Sequence, residues 1–203
     1  PRGYRWRPDQ PATITWVEAL DGGNPRNSVP FRDKVVALTA PFAGATIEVA
    51  RTEWRFGGLS YTEKGIALLT EADRTTRRNR TWILEAGLQP RKLWERRQQD
   101  SYNNPGSPVI RRDGGAGGGG GAGGGRGFGG GFGGGGMILQ HGDSIYLTGQ
   151  GSSTDGDRPF LDRLDLKTLK SERLFRCNEK TYESVVAPLD DDAKMVLTEY
   201  ETP

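Results

Sequence analysis

The chain has 203 residues, 33% of them hydrophobic, with 31 glycines, one cysteine and a formal net charge of +2. Outside one glycine-rich stretch that is enough chain to bury a core, and the near-neutral balance demands neither a nucleic acid nor an anionic membrane as partner. Cys177 stands alone, which excludes an internal disulfide and leaves the redox compartment open.

In chain order, the first strand signal is TITWVE (13–18), after the turn-forming PDQPA, with LDGG (20–23) as its exit turn. IALLTE (66–71) follows TEKG, and RTWILEA (80–86) and RKLWER (91–96) come next. The stretch Arg91 to Asp100 has charges but no apolar stripe, so it does not read as a helix. Beyond the glycines, SIYLTG (144–149) follows QHGD, then come RPFLDRLDL (158–166), the turn LKTLKS and SERLFR (171–176). Leu161, Leu164 and Leu166 break strict alternation, which predicts a bulge. KMVLTE (194–199), after LDDDA, closes the series. No run reaches the roughly 18 to 20 apolar residues needed to cross a bilayer. A chain that starts at Pro1 and stops at Pro203 after a strand-like run reads as a piece of something longer.

Four of these runs, TITWVE, IALLTE, SIYLTG and KMVLTE, can be laid over one another. They end at residues 18, 71, 149 and 199, with spacings of 53, 78 and 50; removing the 23-residue glycine stretch from the middle spacing leaves 55. An all-strand period near 50 is the size of a propeller blade. The expected fold is therefore all-β: a partial β-propeller of about three to four four-stranded blades, occupying 1–203 as one domain segment. A compact four-blade ring is the alternative; a fragment of a larger ring fits the ends better.

The stretch GGAGGGGGAGGGRGFGGGFGGGG (114–136) offers no lysine and no following helix, so it is not a phosphate-binding loop. As an RNA-binding segment it would have a single cation, Arg126, for phosphate contacts. As a linker between domains it would interrupt the period, which instead continues across it. Ordering glycine-rich chain costs about 1 to 2 kcal/mol per residue with almost no side chain to bury. Lengthening a closed loop to nearly thirty residues costs only roughly 1.5 to 2 kcal/mol. A disordered loop insertion within the domain is the expectation.

The strings YRWRPDQPATITWVEALDGG (4–23), TRRNRTWIL (76–84), DSYNNPGSPVIRR (100–112), GDRPFLDRLDLKT (156–168) and KTYESVVAPL (180–189) carry a resemblance. In order and approximate spacing they resemble the prolyl oligopeptidase family of serine peptidases, and within it the glutamyl endopeptidases of bacteria and chloroplasts. The resemblance implies a seven-bladed propeller over an α/β-hydrolase domain of the same polypeptide, with this chain in the middle to later part of the propeller. The glycine stretch departs from the family pattern. The implied parent acylates its own serine, uses histidine as base and acid, and holds the oxyanion with backbone amides. The propeller would gate entry of peptide substrates and position them. The implied location is a soluble compartment: cytoplasm or periplasm, or the chloroplast stroma in a plant.

The chain itself shows no catalytic set. Neither GLSYT (58–62) nor GSSTD (151–155) completes G-x-S-x-G, and the one histidine, His141, sits in a turn. No His/Cys spacing suggests a metal, Asp190 to Asp192 reads as a turn, and no cofactor is implied. The five tryptophans read as packing between blades. Cleavage after glutamate needs a cation facing the substrate carboxylate, which arginine supplies bidentately. The candidates are Arg77, Arg78 and Arg80, clustered with Arg74 between strands, and Arg111 and Arg112 beside PGSPV. Two other functions fit the sequence less well: a free-standing propeller scaffolding protein partners, and RNA binding through the glycine stretch.

Overall fold

The computed structural model describes residues 1–111 and 136–201, so nearly all of the glycine stretch, and Arg112 with it, lies outside the described residues. Among the described residues every regular element is a strand. They divide into two compact units, residues 1–61 with 65–97, and residues 62–64, 98–111 and 136–201.

The first unit holds two four-stranded antiparallel sheets. Sheet one runs β1 (Arg2–Trp6), β2 (Thr13–Ala19), β3 (Asp33–Thr39), β4 (Ile47–Thr52). Sheet two runs β5 (Arg55–Tyr61), β6 (Ala67–Asp73), β7 (Arg78–Leu84), β8 (Arg91–Arg97). Successive residues of a strand face opposite sides, and in β2 the alternation puts Thr13, Thr15 and Val17 into the interior, level with Ala37 and Val35 of β3. Polar contacts join the sheets. The buried carboxylate of Asp33 accepts from Arg55 Nη1 (3.0 Å) and the backbone N–H of Phe56 (2.8 Å). Asp21 pairs with Arg55 and, at 3.1 Å, with Arg32. The Arg7 guanidinium lies 4.4 Å from the centre of the Tyr61 ring. LDGG is the expected turn, closed by Asn24 N donating to the Asp21 carbonyl (3.3 Å) and Gly23 N to the Asp21 carboxylate (2.9 Å), and it opens a longer 20–32 connection to β3 anchored by the buried Asp21. Trp6 departs from the packing expected of the tryptophans: it is exposed on an edge strand.

In the second unit one sheet is built on β11 (Ser144–Gly149), β14 (Phe160–Asp165) and β15 (Ser171–Arg176). The expected bulge is present, between Leu161 and Asp162 where β14 pairs β15. Along the free edge of β11 two short strands lie in line, β9 (Ser107–Pro108) and β10 (Gln140–His141). Ser107 and Pro108 face Thr148 and Leu147, the Val109 N–H donates to the Tyr146 carbonyl (2.9 Å), and Gln140 and His141 face Ile145 and Ser144. Residues 107–109 and 140–141 thus fill one strand position between them. The chain leaves the sheet at Val109 and returns at Gln140. At that departure Leu139 N donates to Val109 O (2.9 Å) and Arg111 N to Met137 O (2.8 Å), while Ile138 and Leu139 are buried.

A small hairpin, β12 (Ser152–Ser153) with β13 (Gly156–Asp157), extends the turn from β11 to β14. A last pair, β16 (Tyr182–Pro188) and β17 (Val196–Glu201), forms a two-stranded sheet. Such a pair is marginal alone. Here Val185 and Ala193 share a buried cluster with Leu139, Tyr146 and Leu161.

Candidate functional site

The arginine-rich turn between β6 and β7 is set by one carboxylate. Asp73 accepts from the N–H groups of Thr75 (2.9 Å) and Thr76 (3.3 Å) and from the Thr76 hydroxyl (2.6 Å). The Thr76 hydroxyl bond is the main reason that Asp73 is held below the usual carboxylate pKa. Arg77 takes a left-handed backbone (φ 53°) to close the turn into β7, an unusual conformation for a residue with a side chain. It is exposed, as is Arg74, and neither has a carboxylate within ion-pair distance among the described residues.

The neighbouring arginines are committed to different degrees. Arg78, first residue of β7, pairs with Glu95 at 3.0 Å and stands directly across from the exposed Arg97 of β8. Arg80, on the same face two residues on, contacts Glu53 (2.9 Å), Glu95 (3.3 Å) and Glu71 (3.5 Å) and lies 3.5 Å from the Trp54 ring centre. Glu71 is 2% exposed; it also accepts from Trp54 N (2.8 Å) and Trp82 Nε1 (2.9 Å). A buried carboxylate with three donors is a structural knot, and its arginine has little capacity left for a ligand.

Arg111 belongs to the second unit, where it spans Glu63 (2.5 Å) and Asp191 (2.9 Å) at the departure of the glycine stretch. Arg112 lies outside the described residues. The five sequence candidates therefore do not form one cluster. Arg77 and Arg78 come together in one turn, and the register adds Arg97, which sequence spacing does not reveal.

Other candidate groups have structural partners. Asp190 accepts from Lys194 N (2.9 Å) and Met195 N (3.1 Å), and Asp192 pairs with Lys194 at 2.6 Å, as befits a turn. Among the described residues no three His, Cys, Asp or Glu side chains converge as a metal site. His141 is exposed at the Gly142–Asp143 turn. Ser60 is buried within β5, and Ser152 and Ser153 bond to Asp157 and the Gly156 carbonyl. The buried Cys177 thiol contacts the Thr181 carbonyl (3.1 Å), and its sulfur accepts from Glu183 N (3.0 Å).

The class defined so far is an all-β chain of repeated four-stranded antiparallel sheets with an exposed arginine turn. Two curated proteins are similar to it along nearly its whole length. "Probable glutamyl endopeptidase, chloroplastic" of Oryza sativa subsp. japonica is 33% identical over 198 residues, 94% of this chain and 20% of that protein. The protein of the same name from Arabidopsis thaliana is 34% identical over 219 residues, 99% of this chain and 21% of its own length. The resemblance to glutamyl endopeptidases thus extends well beyond the five strings that first carry it. The chain spans about a fifth of the length of these relatives. No family model and no solved structure matches it. No helix among the described residues is long and apolar enough to cross a membrane.

Proposed function

We propose that this chain is the β-propeller portion of a serine-type peptidase of the prolyl oligopeptidase family that cleaves after glutamate. In this reading the sheets gate the approach of peptides and position them over an α/β-hydrolase domain in the same polypeptide. The observation that carries it is similarity to two proteins named as glutamyl endopeptidases over 94% and 99% of the chain. Further support comes from an all-β build with sheets of blade size and no completed catalytic serine motif. The chain is one domain segment, 1–203, with the stretch 114–136 inserted into it; residues 107–109 and 140–141 lying in line on one edge favour this over a linker.

Of the candidate arginines, Arg77 has the strongest case, since a substrate carboxylate needs a cation not already neutralised. Arg78 and Arg111 come next. Arg80 serves the fold. Arg112 stays a candidate on sequence position alone.

The test is hydrolysis by the full-length protein of paired peptides that differ only in Glu or Gln before the scissile bond. Cleavage of the Glu peptide, abolished by a serine-directed phosphonate, supports the proposal. Absence of cleavage of either peptide rejects it. Arg77→Ala lowers kcat/KM for the Glu peptide relative to the Gln peptide by about tenfold, the loss of one exposed charge-assisted bond; an unchanged ratio removes Arg77 from substrate recognition.

A further inference from the structure

Charged side chains cross sheet two in rows set by its register. Glu71, Arg80 and Glu95 face one another across β6, β7 and β8, and their signs alternate, so that Arg80 meets a carboxylate on either side (3.5 and 3.3 Å). The next charged row toward the β6–β7 turn is Asp73, Arg78 and Arg97. There the alternation breaks. A cation stands on β8 where the first row has a carboxylate, and like charges directly opposed on two strands are destabilising.

Sheet one holds a comparable pair of opposed cations, Lys34 of β3 across from Arg51 of β4, and there each has a carboxylate of its own: Glu18 for Lys34 (3.0 Å) and Glu48 for Arg51 (2.8 Å). In sheet two only one of the two is served. Arg78 takes Glu95 (3.0 Å), whereas the exposed Arg97 has no carboxylate within ion-pair distance among the described residues. Both carboxylates that its own row and the neighbouring strand position could lend are engaged. Asp73 accepts from Thr75 N (2.9 Å) and from the Thr76 hydroxyl (2.6 Å), and Glu95 is shared by Arg78, Arg80 and Lys92. Three exposed, unneutralised guanidiniums therefore lie at this end of the sheet: Arg74 and Arg77 in the turn that leads into Arg78, and Arg97 across from Arg78.

We infer that this end of sheet two binds an acidic peptide segment through its side-chain carboxylates, and that Arg97 is a specificity-determining residue of the site. A carboxylate seated between Arg78 and Arg97 supplies the sign that Glu95 gives the first row, and a guanidinium fork suits it geometrically. Arg74 and Arg77 remain for a second one, so the ligand has neighbouring Glu or Asp residues instead of a single acid. A peptide fits better than a nucleic acid: single strands are held by stacking as well as by charge, and the tryptophans of β7 and β8, Trp82 and Trp94, are not exposed. The consequence for cleavage, a preference for glutamates set in acidic runs, rests on the peptidase reading; the binding does not.

Fluorescence anisotropy of the full-length protein, treated with a serine-directed phosphonate to stop turnover, tests it with a labelled peptide carrying three consecutive glutamates and with its glutamine counterpart. The Glu peptide binds more tightly than the Gln peptide, and Arg97→Gln weakens its binding about tenfold. Arg97→Glu abolishes that binding and, by restoring alternate signs beside Arg78, leaves the urea midpoint of unfolding equal or higher, which a structural role for Arg97 would not do. Unchanged affinity in both variants overturns the inference. So does a lowered urea midpoint in Arg97→Glu, equal binding of the two peptides, or equally tight binding of a single-stranded oligonucleotide of the same charge. A protein that binds the Glu peptide through Arg97 but, untreated, cleaves neither peptide upholds this inference and sinks the peptidase reading; cleavage of the Glu peptide with affinity indifferent to Arg97 does the reverse.

Discussion

Replacing residues 112–136 by Asn-Gly joins Arg111 to Met137 through a two-residue loop. The two ends are already prepared for it: Arg111 N donates to Met137 O at 2.8 Å, and Ile110 faces Ile138 in an antiparallel bridge. Asn-Gly favours the type I′ turn that suits such a pair. Ile138 and Leu139, both buried, are retained. By its sequence a segment of 25 residues with almost no side chain to bury is expected to contribute closure entropy alone. Shortening the loop to two therefore recovers (3/2)RT ln(25/2), about 2 kcal/mol. For a chain of this size that raises Tm by roughly 4 to 8 °C. Differential scanning calorimetry of the two proteins at equal concentration makes the measurement. A lower Tm in the shortened protein, or loss of the transition, would refute the reasoning, because the glycine stretch would then be holding structure.

Glu71→Ala strands Arg80, the Trp82 indole and the Trp54 amide, and lowers the stability read from urea unfolding by about 3 to 5 kcal/mol; a loss under 1 kcal/mol would mean that the carboxylate is dispensable. Tyr61→Phe removes a buried hydroxyl with no partner, so it is neutral or stabilising at pH 7 by up to about 1 to 3 kcal/mol. Burial pushes the Tyr61 pKa from 10.0 up to about 12. Because the folded value is the higher one, the stability this group contributes is intact below pH 10 and is lost as the pH rises toward 12; in the Phe variant that part of the alkaline loss disappears from a pH series of unfolding curves. At the acid end the signs reverse: Asp73 and Asp165 are both held below their usual pKa, chiefly by bonds from Thr76 and Thr168, so stability is full above a carboxylate's ordinary pKa of about 3.9 and falls as the pH drops below it. Asp73→Asn flattens that fall, which an acid titration of Tm detects. In Gly149→Ala the new Cβ sits 2.7 Å from the Phe160 ring, costing about 1 to 3 kcal/mol in the same urea assay.

The repeat was readable because its first three runs each fall on the second strand of a sheet. TITWVE, IALLTE, SIYLTG and KMVLTE lie in or across β2, β6, β11 and β17, and the first three are flanked by strands on both sides. Their β-branched and aromatic residues alternate against turn clusters, a local signal that needs no knowledge of partners. β5 was not readable, since RFGGLSY hides a strand behind two glycines. Neither was β9 with β10, because a strand position shared between residues 107–109 and 140–141 leaves each piece too short to register as a pattern.

The arginine turn was visible as composition, but its division of labour was not. Arg80 meets carboxylates nine, fifteen and 27 residues away in sequence, brought together only by sheet register and by the link between sheets. Nothing in TRRNRTWIL distinguishes Arg77, which is free, from Arg80, which is occupied. Trp6 was misplaced for a related reason: an indole in a strand suggests packing, but whether an edge strand is covered is decided by whatever lies beyond it.

The most direct test of the central claim is a crystal structure of the full-length protein. The account predicts that the sheets formed by residues 2–52, 55–97 and 107–176 stand side by side as successive blades around one axis, with the pair 182–201 completed to four strands by chain that follows and a hydrolase domain set against the ring. Two separate globules joined through residues 112–135 would contradict it.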